Sequence, residues 1–195
     1  MTVATGPFSL ERIVRAVEKV RQRLLRAAAA LRAANVPYAV AGDYAVALWV
    51  SRVDEAAVRN TQDVDVLLRR QDFDAAKAAL ESAGFVYRHV AGLDAFLDGP
   101  AAKPREAVHI VFANEKVRLQ EDPPNPDVSQ SEDAGPFRVI ALDALVRIKL
   151  TAFHDKDRTH LRDLIDVGLL DAQWLAQLPP FLADRLRQLL DNPEG

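Results

Sequence analysis

Two carboxylates alternate through a short apolar run, Asp63-Val64-Asp65-Val66. In an extended strand successive side chains point to opposite faces, so Asp63 and Asp65 share one face while Val64 and Val66 turn to the core. Adjacent carboxylates repel unless a cation offsets them, and a hard divalent ion such as Mg²⁺ prefers oxygen ligands. Such an ion bridges phosphate oxygens to the protein in phosphoryl-group chemistry, and a second ion can activate the attacking hydroxyl. An isolated Asp-x-Asp is more often a pair of exposed acids on a sheet edge, so the surroundings must decide. A second copy, Asp72-Phe73-Asp74, falls where a strand gives way to a helix. There Asp72 is placed to cap the helix and Asp74 to meet its positive end, which leaves that copy no catalytic role.

The elements that would position the first pair can be read along the chain. From Ser9 to Ala34 apolar residues recur at three- and four-residue steps among strong helix formers, which predicts a long amphipathic helix. Its Arg12, Arg15, Arg23 and Arg26 form a basic face that could touch nucleic acid, although a solvated helix face explains such residues more often. Asn35-Val36-Pro37 ends it. Tyr38 to Ala41 is a short strand, Gly42-Asp43 opens a helical run over Tyr44 to Val50, and Thr61 to Leu68 is the strand carrying the acids. A helix over Asp72 to Ala83 and a strand over Phe85 to Val90 follow, with Gly84 between them. Leu93 to Pro104 reads as irregular, Ala107 to Ala113 as a strand containing His109, and Leu119 to Pro136, with its prolines, as an exposed loop. Phe137 to Ile140 is a short strand. Leu142 to His154, Arg158 to Leu170 and Phe181 to Leu190 are helical. This order predicts an α/β fold, a mixed sheet backed by helices with a helical C-terminal part. One domain over 1–195 is expected, with an N-terminal helix to 35, a sheet core over 36–140 and helices over 141–195.

The totals bound the partners. The 195 residues suffice for one good core, and 49% hydrophobic with 27% charged residues is ordinary globular composition. A formal net charge of −3 argues against gripping duplex nucleic acid through a general positive field, while leaving room for a local basic patch. Without cysteine there is no disulfide framework and no thiolate metal site, and no histidine spacing suggests zinc. Met1 to Pro7 lack a basic start and a long apolar run, and no stretch approaches a membrane span, so a soluble cytoplasmic protein without membrane contact is the expectation.

Three blocks in order resemble the nucleotidyltransferase superfamily, closest to its small bacterial branch of antitoxin-associated and toxin-like members. They are Tyr38 to Leu48 with its Ala41-Gly42 turn, Arg59-Asn60-Thr61-Gln62-Asp63-Val64-Asp65, and the helical segments Ala144 to Leu150 and Asp155 to Leu164, which carry Lys149 and Lys156. The resemblance implies transfer of a nucleotidyl group from an NTP to a hydroxyl of an RNA, a protein or a small molecule. It also implies Asp63 and Asp65 as ligands of Mg²⁺, with Mn²⁺ as a substitute, and Gly42, Asp43, Lys149 and Lys156 around the substrate. Two departures stand out. The family's turn usually has glycine or serine where Asp43 stands, and a carboxylate there caps the helix but repels an anion. In Val108-His109-Ile110-Val111-Phe112, His109 takes the place of the family's third acid, and imidazole is a poor Mg²⁺ ligand. His109 is then either a base, with its ordinary pKa of about 6.5, or a cationic substitute for a metal. The intact Arg-x-Thr-x-Asp-x-Asp segment favours an enzyme, impaired to some degree. Asp43 and His109 favour the alternative, a non-catalytic binding module of the same fold in a toxin–antitoxin-like pair.

Overall fold

The computed structural model describes residues 10–90, 92–103, 106–116 and 123–193. Helix α1, Leu10–Ala33, buries Val20, Leu24, Ala27, Ala28 and Leu31 at helical spacing and ends where Asn35 takes a left-handed conformation ahead of Val36-Pro37. Strand β1, Tyr38–Ala41, is buried at every position, as suits the interior of a sheet. Helix α2, Gly42–Ser51, starts directly from it. Then come β2, Val64–Leu68; α3, Phe73–Ser82; β3, Val86–Val90; β4, Leu93–Leu97; β5, Ala107–Phe112; β6, Ser131–Asp133; and β7, Arg138–Ile140. The chain closes with α4, Leu142–Ala152, α5, Asp155–Asp166, and α6, Pro180–Asp191.

The strands form one mixed sheet in the order β3-β4-β5-β2-β1-β7-β6. β1 runs antiparallel to β2 and parallel to β7, while β2 and β5 are parallel. The register sets the chemistry: Asp65 lies opposite Ala41 on one side and His109 on the other. α1 packs against α3 and the middle strands, and α2, α4, α5 and α6 pack together elsewhere on the sheet. No helix among the described residues is long and apolar enough to cross a membrane.

Four sequence expectations are corrected. Leu93 to Leu97 is a strand, because Asp94 and Phe96 are the residues it buries; Asp94 accepts a hydrogen bond from the Tyr87 hydroxyl at 2.7 Å and contacts His89 Nδ1 at 2.8 Å. The expected loop from Leu119 contains edge strand β6, with Leu119 to Asp122 outside the described residues. β2 begins at Val64, since Asp63 N–H donates to the Thr61 hydroxyl at 3.2 Å in a local turn. Asp72 makes no capping hydrogen bond to α3, although it stands at the cap position.

The basic face of α1 is also less uniform than expected. Arg23 is buried, with Nε 3.3 Å from Asp98 and Nη1 donating to the Gln62 carbonyl at 3.1 Å; Arg26 also pairs with Asp98 and lies over Phe85. These two arginines fasten α1 to the sheet, and only the N-terminal part of the row is a solvated face.

Candidate functional site

Gly42 is where the site begins. Its φ of +61° is a backbone state that glycine adopts freely, and a Cβ there would lie 1.8 Å from Asp65 Oδ2. The Ala41–Asp65 register forces this approach, so the turn into α2 and the second acid of the pair sit on the same side of the sheet. Val64 and Val66 are fully buried while Asp63 and Asp65 are partly exposed, which is the alternation the sequence predicts. From the neighbouring strand, His109 reaches Asp65, with Nδ1 3.6 Å from Oδ1. It therefore stands beside the acid pair, as its place in β5 predicts. Glu115, flanking the same strand, is held away by Arg70, whose Nη2 donates to it at 2.7 Å.

Asp43 is not the exposed repulsive carboxylate that its position in the turn suggests. It is only 8% exposed and is enclosed by two lysine ammoniums and an imidazole. Lys149 Nζ is 3.4 Å from Oδ1, His160 Nδ1 is 3.5 Å from the same oxygen, and the Lys156 ammonium donates to Oδ2. Burial alone would raise the Asp43 pKa, but the Lys156 hydrogen bond and the charges of Lys149, His160 and Lys156 outweigh it and hold the carboxyl below its ordinary range. The His160 pKa is lowered too, by burial and the neighbouring Lys149 charge, so it stays neutral more readily than a free imidazole. The negative charge at the turn is thus offset locally, by two lysines that Asp43 shares with Asp157 and Asp63.

The two lysines reach Asp43 by a route that spacing does not reveal. α4 and α5 are not one helix, because Phe153 takes a left-handed conformation (φ 53°) and breaks the run. Lys149 comes from the end of α4, is 5% exposed and also donates to Asp157 Oδ1 at 3.0 Å. Lys156 comes from the first turn of α5, its side chain 59% exposed, and also donates to Asp63 Oδ2 at 3.1 Å. It bridges the turn carboxylate to the first acid of the pair, and these hydrogen bonds raise its pKa well above the ordinary lysine value despite the opposing effect of burial. Lys156 pairs with Asp43 and Asp63 rather than with its neighbours on the helix.

A cleft of about 450 Å³ opens beside this cluster, lined by Asp43, Asp63, Lys156 and the Arg59 to Gln62 segment. Its far wall is one face of α5, Lys156, Thr159, His160 and Asp163, at steps of three, one and three residues. Arg59 ties the wall to the strand, its Nε 2.8 Å from both Asp163 oxygens. His160, Asp157 and Asp163 have roles here that the sequence reading did not assign. The helical spacing of Lys156, His160 and Asp163 was the available signal, but the partner it faces is remote in sequence.

Among the described residues no group of three or more histidine, aspartate or glutamate side chains is arranged to hold a metal ion. What the strands offer is two carboxylates with an imidazole beside them. That donor set suits one Mg²⁺, which is commonly bound by one or two carboxylates with substrate phosphates and water completing its shell. It does not suit two, because His109 stands where a third acid would be needed.

No family model matches the chain, and no curated protein matches it. Solved structures do. ANT(2″)-Ia in complex with adenylyl-2″-tobramycin aligns at 18% identity with a TM-score of 0.55, covering 89% of this chain and 98% of that one. An antigenic nucleotidyltransferase-like protein from Paracoccidioides brasiliensis aligns at 16% identity and TM-score 0.51, over 97% of this chain and 92% of that one. JHP933 from Helicobacter pylori aligns at 16% identity and TM-score 0.51, over 96% and 78%. At these identities the likeness is one of fold: the chain has the nucleotidyltransferase fold.

Proposed function

We propose that this chain, as one nucleotidyltransferase-like domain, transfers a nucleotidyl group from an NTP to a hydroxyl of an acceptor. The observation that carries this reading is the Lys156 bridge between Asp43 and Asp63, three residues that line one cleft, next to the close approach of Gly42 to Asp65. The turn at Gly42 opens a helix, whose N-terminal N–H groups favour phosphate oxygens. The position of Asp43 removes the main objection to an anion there, since its charge is already met by Lys149 and Lys156.

Asp63 and Asp65 would hold Mg²⁺, or Mn²⁺, which when bound supplies charge neutralisation on the triphosphate. Lys149, buried, fixes Asp43 and so the geometry of the turn. Lys156, exposed and bound to two carboxylates, is the cation free to transfer its hydrogen bonds to incoming phosphates. In the reaction the acceptor hydroxyl oxygen bonds to the α-phosphorus, the bond from that phosphorus to the bridging oxygen breaks, and pyrophosphate leaves with the electron pair. The hydroxyl proton passes to the Asp65–His109 pair, where Oδ1 and Nδ1 lie 3.6 Å apart.

Calorimetric titration with ATP in the presence of Mg²⁺ tests the binding half of this reading. Wild type is expected to bind, with affinity falling about tenfold in Lys156→Ala and with its Mg²⁺ dependence abolished in Asp63→Asn. Equal affinity in all three proteins would contradict it. ATP binding that persists with no transfer would leave the binding-module reading in its place.

A further inference from the structure

We propose that the N-terminal half of α1 forms the acceptor track of this protein, and that the acceptor is a single-stranded RNA whose 3′ end is delivered to Asp63. The inference rests on the nucleotidyl-transfer reading only for what happens at the end of the strand; the binding itself is independent of it.

Arg12, Arg15, Lys19 and Arg23 line one furrow of about 390 Å³ along α1, together with Gln62 and Glu106. Gln62 also lines the cleft that contains Asp63, so furrow and cleft meet at that residue. Arg23 closes the junction by donating to the Gln62 carbonyl at 3.1 Å. The other three cations are exposed. Most arginines among the described residues are spoken for: Arg21, Arg23, Arg26, Arg52, Arg59, Arg69, Arg70, Arg147, Arg158 and Arg187 each pair with a carboxylate. Among the described residues Arg12, Arg15 and Lys19 have no carboxylate within ion-pair distance. Three uncompensated cations in a row, in a chain of net charge −3, form a local exception to its overall field.

The spacing fits a phosphodiester strand. Arg12 to Lys19 spans seven helical steps, about 10 Å. One nucleic-acid strand carries on the order of three phosphates over that distance at a rise of about 3.4 Å. A cationic acceptor would meet like charge here, and an isolated small anion would use only part of the row. Among the described residues the furrow has no aromatic lining side chain, so what those residues hold is the backbone. A free strand end also carries the hydroxyl the reaction needs. Its oxygen would bond to the α-phosphorus with release of pyrophosphate, lengthening the strand by one nucleotide.

Fluorescence anisotropy with a labelled 12-nucleotide single-stranded RNA, full-length protein and no NTP tests the track directly. Three phosphate contacts on a single strand predict a slope of log K against log salt of about −2, from roughly −0.7 per contact. The triple variant Arg12→Gln/Arg15→Gln/Lys19→Gln is expected to bind at least tenfold more weakly with a slope near zero, at unchanged melting temperature because these side chains are exposed. Arg21→Gln, on the same helix but paired with Glu18, is expected to stay within twofold of wild type. Undiminished binding in the triple variant, an equal loss in Arg21→Gln, or tighter binding of an RNA duplex, of polyglutamate or of anionic lipid vesicles would overturn the proposal. Failure of ATP binding with the RNA track intact would instead count against the nucleotidyl-transfer reading alone.

Discussion

Gly42 and Asp65 occupy space that only a glycine leaves open, the missing Cβ falling 1.8 Å from the Asp65 carboxylate oxygen. Gly42→Ala therefore forces two changes at once. The left-handed backbone costs about 1–2 kcal/mol for an L side chain, and the methyl must displace Asp65. The variant is expected to melt several degrees lower and to lose ATP affinity, whereas Gly84→Ala, with open space around its Cβ, is expected to lose only the backbone contribution. Thermal denaturation with parallel ATP titration separates the two effects. An active Gly42→Ala protein would show that the turn does not approach the substrate.

Asp43 and Lys149 form a buried pair, and removing one partner leaves the other charge uncompensated. Breaking such a pair costs about 3 kcal/mol or more. Asp43→Ser is thus expected to destabilise the protein, rather than simply to tighten nucleotide binding by relieving repulsion, which is what the turn sequence alone suggests. Chemical denaturation measures this. A variant as stable as wild type would mean that Asp157 alone satisfies Lys149.

The same cage makes stability depend on pH in a stated direction. His160 has a pKa lowered from its ordinary 6.5, so below about 6.5 the unfolded chain takes up a proton that the folded protein resists, and stability falls as pH drops. Asp43, also lowered, from 3.8, contributes stability that is present above that value and is lost as pH falls through its folded pKa. Denaturation midpoints are expected to decline from pH 7 to pH 5.5, and more steeply below pH 4. His160→Gln should flatten the first part of that curve and leave the second. An identical pH profile in His160→Gln would remove His160 from the cage.

Much of this arrangement was legible in the sequence. The alternation of Asp63-Val64-Asp65-Val66 and the Ala41-Gly42 turn predict both the strand and its approach to the helix start, and β5 brings His109 beside Asp65 as the run Val108 to Phe112 implies. What could not be read were the places where local pattern and tertiary packing disagree. β4 hides because it buries an aspartate and exposes Leu93, reversing the polarity that marks a strand. The sequence places two helices here but starts the second at Arg158, so it leaves Lys156 between them. The left-handed turn at Phe153 instead starts α5 at Asp155 and lets Lys149 and Lys156 converge from two helices. The neutralisation of Asp43 depends on residues more than a hundred positions away, and no spacing rule reaches that far.

His109 decides how many ions the site can hold. Replacing it with aspartate places a third carboxylate beside Asp65, opposite it across the parallel β2–β5 pairing. His109→Asp is expected to raise Mg²⁺ affinity about tenfold and to allow a second ion, both readable by calorimetry in the presence of a non-hydrolysable ATP analogue. Two ions bound by wild type, with no gain in the variant, would contradict the one-ion reading of the site.

Label transfer from an α-labelled NTP, in the presence of Mg²⁺ and total cellular RNA and protein, tests nucleotidyl transfer most directly. Wild type is expected to label an acceptor in the RNA fraction, Asp65→Asn to lose that labelling by at least a hundredfold, and Asp74→Asn, in the exposed second copy of the motif, to retain it. Labelling undiminished in Asp65→Asn, or none with wild type while ATP still binds, would contradict the catalytic account.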